Sequence, residues 1–380
     1  MDLRSFTNKV RAWRDHVRRG VAIFLFDKVL RNQGPFQEAI LFVRWDAKLG
    51  DTVVLSWVWR AIRAYRPDLK LWIITGPEFS DWYASTYGFD KVLLAPRRPR
   101  QHSFFKMTAD IKKPRYVVHL SQALKARDLF FLRLVQPAHV ASLDDALQCI
   151  DIKLGKLTEG RHFSEKLVPF LEQLSIPVAD RRYWLPQNNN DRAKIMTHWP
   201  TEKVIGFCPN GASKHRCFSD AKIVWTVQTL LASSARRHQS IRVLLIVTLD
   251  HVARLSALMK AHGLSDAVLF RPTGHLTELI EQVRLCAGVI SVDTSLVHVA
   301  SGLEKPLLAF YHPPNAANPL TLNNFGSWHP NSDHAQALVA DKVWPQRIDA
   351  FEDDRLSAAI DQFLSRVFQY SAEDAVLVAT

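Results

Sequence analysis

Three short stretches of the chain combine charge, hydroxyl groups and glycine where a backbone can hold an anion. The first is Lys48-Leu49-Gly50-Asp51, which follows the apolar run Ala39-Ile40-Leu41-Phe42-Val43-Arg44 and precedes a helical stretch over 52–65. Gly50 lets the backbone approach a ligand closely or take a positive φ. Asp51 then sits at a helix N-terminus, where a carboxylate either accepts a proton or only complements the helix dipole. The second stretch is Asn210-Gly211-Ala212-Ser213-Lys214-His215-Arg216-Cys217-Phe218-Ser219. Gly211 permits close backbone approach, Ser213 offers a hydroxyl, and Lys214 and Arg216 bring positive charge. Ser219 caps a helix that begins at Asp220 or Ala221, whose first N–H groups add a partial positive charge. The alternative is an ordinary capped surface loop. The third is Asp293-Thr294-Ser295-Leu296-Val297-His298, directly after the apolar run that ends at Val292. Its polar turn caps the next helix and offers carboxylate, hydroxyl and N–H groups. His298, one turn in, either faces a ligand or is a core histidine.

Each stretch lies just past the carboxyl end of a buried-strand pattern, which is where open α/β sheets bind ligands. Strand patterns recur at 71–75, 92–94, 116–120 and, weakly, 138–141, then at 204–208, 242–247, 267–270, 289–292 and 306–311. Helical stretches alternate with them at 192–199, 221–235, 252–262, 276–286 and 353–368. This alternation predicts α/β architecture with a parallel sheet and right-handed crossovers in each half. Four parts are expected: an extension over 1–35, a first domain over 36–185, a second over 186–350 and a terminal helix and tail over 351–380. The polar, aperiodic Pro186-Gln187-Asn188-Asn189-Asn190 reads as the linker.

With 380 residues the chain exceeds a single hydrophobic core, and 47% hydrophobic content suffices for globular packing. Cys149, Cys208, Cys217 and Cys286 show neither a C-x-x-C pair nor zinc spacing, so a disulfide framework or structural metal is not expected and a reducing cytoplasm fits. No signal peptide or membrane span is read. The formal charge of +12 calls for an anionic partner. No zinc finger, RNP-type strand or Arg-rich recognition helix is visible, which argues against nucleic acid. In the extension, Leu3, Phe6, Val10, Trp13 and Val17 recur at three- and four-residue intervals, and Arg4, Lys9, Arg11, Arg14, Arg18 and Arg19 occupy much of the remaining face. Such a basic amphipathic helix either lies on an anionic membrane surface or packs on the protein itself.

Lys48-Leu49-Gly50-Asp51 early and Asp293-Thr294-Ser295-Leu296-Val297-His298 late, each on a strand-to-helix turn, resemble the lipopolysaccharide heptosyltransferases. These are inverting sugar transferases that use ADP-heptose (glycosyltransferase family 9). The resemblance runs over roughly residues 36–345. It implies the GT-B architecture, two Rossmann-like domains facing across a cleft, with the acceptor on the N-terminal half and the nucleotide sugar on the C-terminal half. Asp51 matches the family's general base, with Asp46 as a nearby rival, and Lys48 and Gly50 fall on the acceptor side. Asp293, Thr294, Ser295 and His298 match the donor-binding turn, although the family has glycine where Ser295 stands. Asn210, Gly211, Ser213, Lys214 and Arg216 are then the donor's phosphate-binding set, although relatives carry Lys-Arg-Trp near this place. No Asp-x-Asp triplet occurs, so no metal and no cofactor are expected. The implied partners are a nucleotide sugar, ADP-heptose first, and an anionic lipopolysaccharide-core acceptor at the inner face of the inner membrane. A same-fold transferase for another nucleotide sugar such as a UDP-hexosamine, and a non-catalytic sugar-nucleotide or glycolipid-binding protein, are the alternatives. In the resembling family the terminal helix can pack back on the first domain.

Overall fold

The structure, a computed structural model, describes residues 3–30, 34–46, 48–96, 99, 101–313, 324–341 and 347–377. Most of the basic run Arg97-Arg98-Pro99-Arg100 lies outside them, as do the side chains of Leu3, Arg4, Phe6, Lys9 and Arg11. The chain forms two compact units, Met1–Ala47 with Leu55–Arg181, and Lys48–Val54 with Arg182–Thr380.

The first unit holds strands β1 Gln37–Arg44, β2 Lys70–Thr75, β3 Lys91–Leu94, β4 Pro114–His119, β5 His139–Ser142 and β6 Ile152–Lys153. Its helices are α1 Leu3–Phe26, α2 Leu49–Tyr65, α3 Pro77–Tyr87, α4 Gln101–Thr108, α5 Ala126–Val135 and α6 Val168–Gln173, the first turn of α2 being counted with the other unit. The strands pair in parallel in the order β3-β2-β1-β4-β5-β6, with Val43 beside Ile74 and Phe42 beside Val118. The order reverses between β1 and β4, which makes their carboxyl ends a topological switch point. Ala39 to Val43 are all buried, as a strand covered on both faces requires.

Helix α1 is fixed to this unit by one face. Ala22 is buried, the Arg19 guanidinium donates to the Leu124 carbonyl at 3.0 Å and pairs with Asp144 at 2.8 Å, and Arg133 Nε donates to the Phe26 carbonyl at 2.8 Å. Arg19, which the sequence pattern assigns to an outward basic face, therefore turns inward because a buried carboxylate waits there.

The second unit comprises α7 Asn189–Met196, β7 Lys203–Cys208, α8 Asp220–Arg236, β8 Ile241–Leu245, α9 Leu249–Ala261, β9 Val268–Leu269, α10 Leu276–Leu285, β10 Gly288–Val292, α11 Ser295–Gly302, β11 Leu307–Tyr311, α12 Asn324–Trp328, β12 Ala335–Val339 and α13 Asp353–Leu377. All pairings are parallel, in the order β12-β11-β10-β7-β8-β9, so the switch point falls between β7 and β10, where Ser291 lies beside Cys208. Strand β12 was not expected from the sequence. Helix α7 starts three residues before the expected Arg192, because Asn188 caps it by accepting from the Asp191 N–H at 3.1 Å.

Helix α13 packs into this unit's own core: Leu356, Ile360, Phe363, Leu364 and Val367 are buried among strand and α8 side chains. Gly288 makes the fit possible. A Cβ there would lie 2.6 Å from Val367 Cγ2 and 2.8 Å from Phe363 Cζ. All four cysteines are free thiols.

Candidate functional site

The switch point of the second unit brings together the second and third stretches singled out in the sequence. After β7 the chain folds into a closed loop: the Gly211 N–H donates to the Arg216 carbonyl at 3.0 Å and the Arg216 N–H to the Ser213 carbonyl at 2.8 Å. Gly211 is required for space rather than for φ, since a Cβ would fall 2.6 Å from Arg216 Cβ and 2.8 Å from its carbonyl oxygen. Lys214–Arg216 form one 3₁₀ turn, and Ser219 caps α8 by accepting from the Lys222 N–H at 3.4 Å. Ser219 is itself held by Asp349, whose carboxylate accepts from its N–H at 2.6 Å and its hydroxyl at 2.7 Å.

The two cations of the loop part company. Lys214 is exposed and lines an open cavity of about 670 Å³ with Asn210, Gly211, Ser213 and the first residues of α8. Arg216 instead reaches across the switch point and pairs with Asp293 at 3.4 Å, which ties the two loops together. The cavity gains His251, Arg254 and Arg347, none of which the sequence reading selected. Arg254 pairs with Asp220, whereas among the described residues no carboxylate lies within ion-pair distance of Lys214 or Arg347. The buried amide nitrogen of Asn210 has no hydrogen-bond partner among the described residues. An orphan donor, two unneutralised cations and the capped start of α8 form a place that favours a polyanion.

On the β10 side, Thr294 caps α11, its hydroxyl accepting from the Leu296 N–H at 3.3 Å and meeting the Ser291 hydroxyl at 3.1 Å. Ser295 opens the helix, so its N–H belongs to the first turn that points out of the sheet. His298 is buried at 5% exposure, between the Tyr183 ring at 6.3 Å and the Trp328 ring at 5.7 Å. Burial pushes the Cys208 thiol and the Tyr311 phenol upward and lowers the His312 imidazole, so these groups stay neutral around the loop. His312 Nε2 contacts the His215 carbonyl at 3.0 Å, which also accepts from the Ile348 N–H at 2.8 Å and so steadies the 3₁₀ turn.

Helix α2 starts at Leu49, not at Thr52, so Gly50 and Asp51 both stand in its first turn. Gly50 has no positive φ. Its role is close approach: a Cβ would meet His298 Cδ2 at 3.1 Å and Ser295 Cα at 3.5 Å. The segment Lys48–Val54 belongs to the same compact unit as α11, which brings the first and third stretches side by side. Lys48 and Asp46 are exposed, and Asp51 is partly so.

The switch point of the first unit holds a cluster that the sequence reading missed. His119, at the end of β4, lies 3.5 Å from Asp128, with its ring 5.8 Å from the Trp45 ring; Arg127 sits over that indole at 5.6 Å. Burial alone would raise the Asp128 carboxyl. The neighbouring His119, the Lys125 N–H donating at 2.7 Å and Arg127 together hold it below the usual carboxylate range.

Two doubly wound parallel units, one with an anion-favouring switch point, are the α/β fold class called GT-B. Residues 172–345 match the family model for glycosyltransferase family 9 (heptosyltransferase), which bears out the resemblance drawn from the motifs. The protein is a glycosyltransferase, and the segment similar to that family covers less than half of it. Among solved structures it is similar to the glycosyl transferase family 9 protein of Veillonella parvula DSM 2008, at 14% identity over 88% of this chain and 99% of that one, with a TM-score of 0.68. The E. coli ADP-heptose lps heptosyltransferase II matches at 13% identity over 88% and 99%, with a TM-score of 0.64. The E. coli heptosyltransferase WaaC with ADP matches at 15% identity over 86% and 99%, with a TM-score of 0.59. No curated protein matches the chain in sequence.

Proposed function

We propose that this glycosyltransferase moves heptose from ADP-heptose to an anionic acceptor of the lipopolysaccharide core, inverting the anomeric centre and using no metal. The observation that carries the reading is the grouping, around one open cavity beside the β7 loop, of Lys214, Arg347, the orphan amide of Asn210 and the N-terminus of α8, in a loop that the Arg216–Asp293 ion pair ties to the β10 turn. Cations and N–H groups fixed there neutralise a nucleotide diphosphate as it leaves, more strongly in the transition state than before it. The related E. coli WaaC structure has ADP as its ligand, which favours an adenine nucleotide.

In this mechanism Asp51 accepts the proton of the acceptor hydroxyl while its oxygen bonds to the anomeric carbon. The bond from that carbon to the phosphate oxygen breaks on the opposite face, and ADP departs as an anion. Asp293, held by Arg216, accepts hydrogen bonds from sugar hydroxyls; Thr294, Ser295, Ser213 and Gly211 serve the phosphates; His298 orders the start of α11 against Gly50. Residues 36–185 take the acceptor, with Lys48 attracting its anionic groups, and residues 186–350 take the donor. The work is done at the cytoplasmic face of the inner membrane.

Mass spectrometry of products tests this reading. Purified protein, a lipopolysaccharide-core acceptor and either ADP-heptose or a UDP-hexosamine are incubated with and without chelator. Acceptor one heptose heavier, from the ADP donor alone and equally with chelator, is the expected product. A hexosamine adduct overturns the donor assignment, and loss of transfer with chelator overturns the metal-free mechanism.

A further inference from the structure

The anchoring of α1 leaves a second face of that helix unexplained. Val10, Trp13, Val17, Val21 and Phe24 are exposed by 47%, 68%, 42%, 55% and 83%. At 100° per residue they share an arc of about 80° and a length of about 21 Å. The anchoring residues Arg19, Ala22 and Phe26 stand on the opposite side. Arg14 and Arg18, both exposed, flank the apolar stripe along one edge, and Asp15 is the single acidic side chain described in the helix apart from its ion pair with Arg14 at 3.4 Å. Beyond Phe24, Leu25 and Val29 continue the exposure at 50% and 55%. On the anchoring side, Phe26, Phe130 and Phe105 meet ring to ring at 5.5 Å and 5.9 Å and hold α1 against α5.

We propose that this stripe of α1 is a docking surface for an anionic phospholipid bilayer, into whose headgroup boundary Trp13, Val17, Val21 and Phe24 insert while Arg14 and Arg18 contact lipid phosphates. Aromatic and aliphatic side chains on one face with arginines at its edge match an interfacial helix. No described helix is long and apolar enough to cross a membrane, so α1 lies on the surface. A second copy of the chain is the poorer occupant, since two molecules each of formal charge +12 repel while an anionic leaflet attracts. The inference deepens the membrane assignment above and needs nothing from the sugar chemistry.

The test is co-sedimentation of the full chain with vesicles of phosphatidylglycerol and phosphatidylethanolamine, or of phosphatidylcholine alone. Wild type should partition onto the anionic vesicles and bind neutral ones about tenfold less or weaker. The double variant Trp13→Glu with Phe24→Glu should lose about tenfold or more of the anionic binding. Arg14→Glu with Arg18→Glu should lose about as much, and raised salt should mimic it. Both variants change exposed side chains, so their melting curves and ADP affinities should equal those of wild type; this separates failure here from failure of the transferase reading. Equal partitioning of wild type and the Trp13/Phe24 variant overturns the proposal. So does a wild-type dimer that this variant dissociates while vesicle binding persists.

Discussion

Replacing Gly211 by alanine tests whether the loop after β7 is shaped for its task. The new Cβ would stand 2.6 Å from Arg216 Cβ and 2.8 Å from the Arg216 carbonyl oxygen, whereas ordinary contact begins near 3.4 Å. An overlap of about 0.6–0.8 Å against backbone cannot be relieved by a rotamer change. The loop must open, which breaks the bond from the Gly211 N–H to the Arg216 carbonyl and shifts the 3₁₀ turn that carries Lys214. Overpacking costs about 1–3 kcal/mol, and the lost hydrogen bond about 1 kcal/mol. A displacement near 1 Å of the phosphate-facing groups lowers ADP affinity by about 10- to 100-fold. Calorimetric titration of ADP and thermal melting measure the two effects. Gly20→Ala, where a Cβ meets nothing within 4 Å, serves as control and should leave ADP binding unaltered. Wild-type ADP affinity in Gly211→Ala would refute the reasoning, because the collision permits no route that spares the loop.

Asp51→Asn should cut transfer by about 10²- to 10⁴-fold while ADP titrations stay unchanged, and Asp46→Asn should have little effect; the reverse pattern in single-turnover assays reassigns the base. Lys214→Ala and Arg347→Ala should each weaken ADP by about tenfold, more at low salt, measured by titration across ionic strengths. Gly288→Val should strike Val367 and Phe363 and lower stability by about 3 kcal/mol or prevent folding, read from denaturant midpoints. Asp128 has a depressed carboxyl, so the stability it contributes is fully present above the ordinary carboxylate value near ~3.9 and is lost as pH falls through its lower folded value. Acid unfolding of Asp128→Asn, followed by circular dichroism, should accordingly have a shallower pH dependence below that range; an identical slope would contradict the assignment.

Both units were legible because their central strands are runs of apolar residues bounded by polar turns, a signal written within five or six positions. The β7 loop and the β10 turn were legible for the same reason: glycine, hydroxyls and cations follow a strand directly. Boundaries failed where a side chain has two uses. The helical stretch reads as 52–65, yet α2 already includes Gly50, whose missing Cβ leaves room for His298 and Ser295 of α11. Asn188 reads as linker and serves as a cap. Arg254 and Arg347 reach the cavity, and Asp349 reaches Ser219, from positions far along the chain, so no local pattern marks them. The His119–Asp128 contact likewise depends on the pairing order of β4 rather than on spacing. For α1 the periodicity identified the apolar stripe, but only packing decides which face is taken, and Arg19 shows that a basic residue can be the anchor.

Diffraction from crystals grown with ADP measures the central claim directly. The diphosphate is expected against Gly211, Ser213 and Lys214, between the first turns of α8 and α11, with Asp293 still paired to Arg216. Density for the nucleotide anywhere else, with the β7 loop empty, would contradict it.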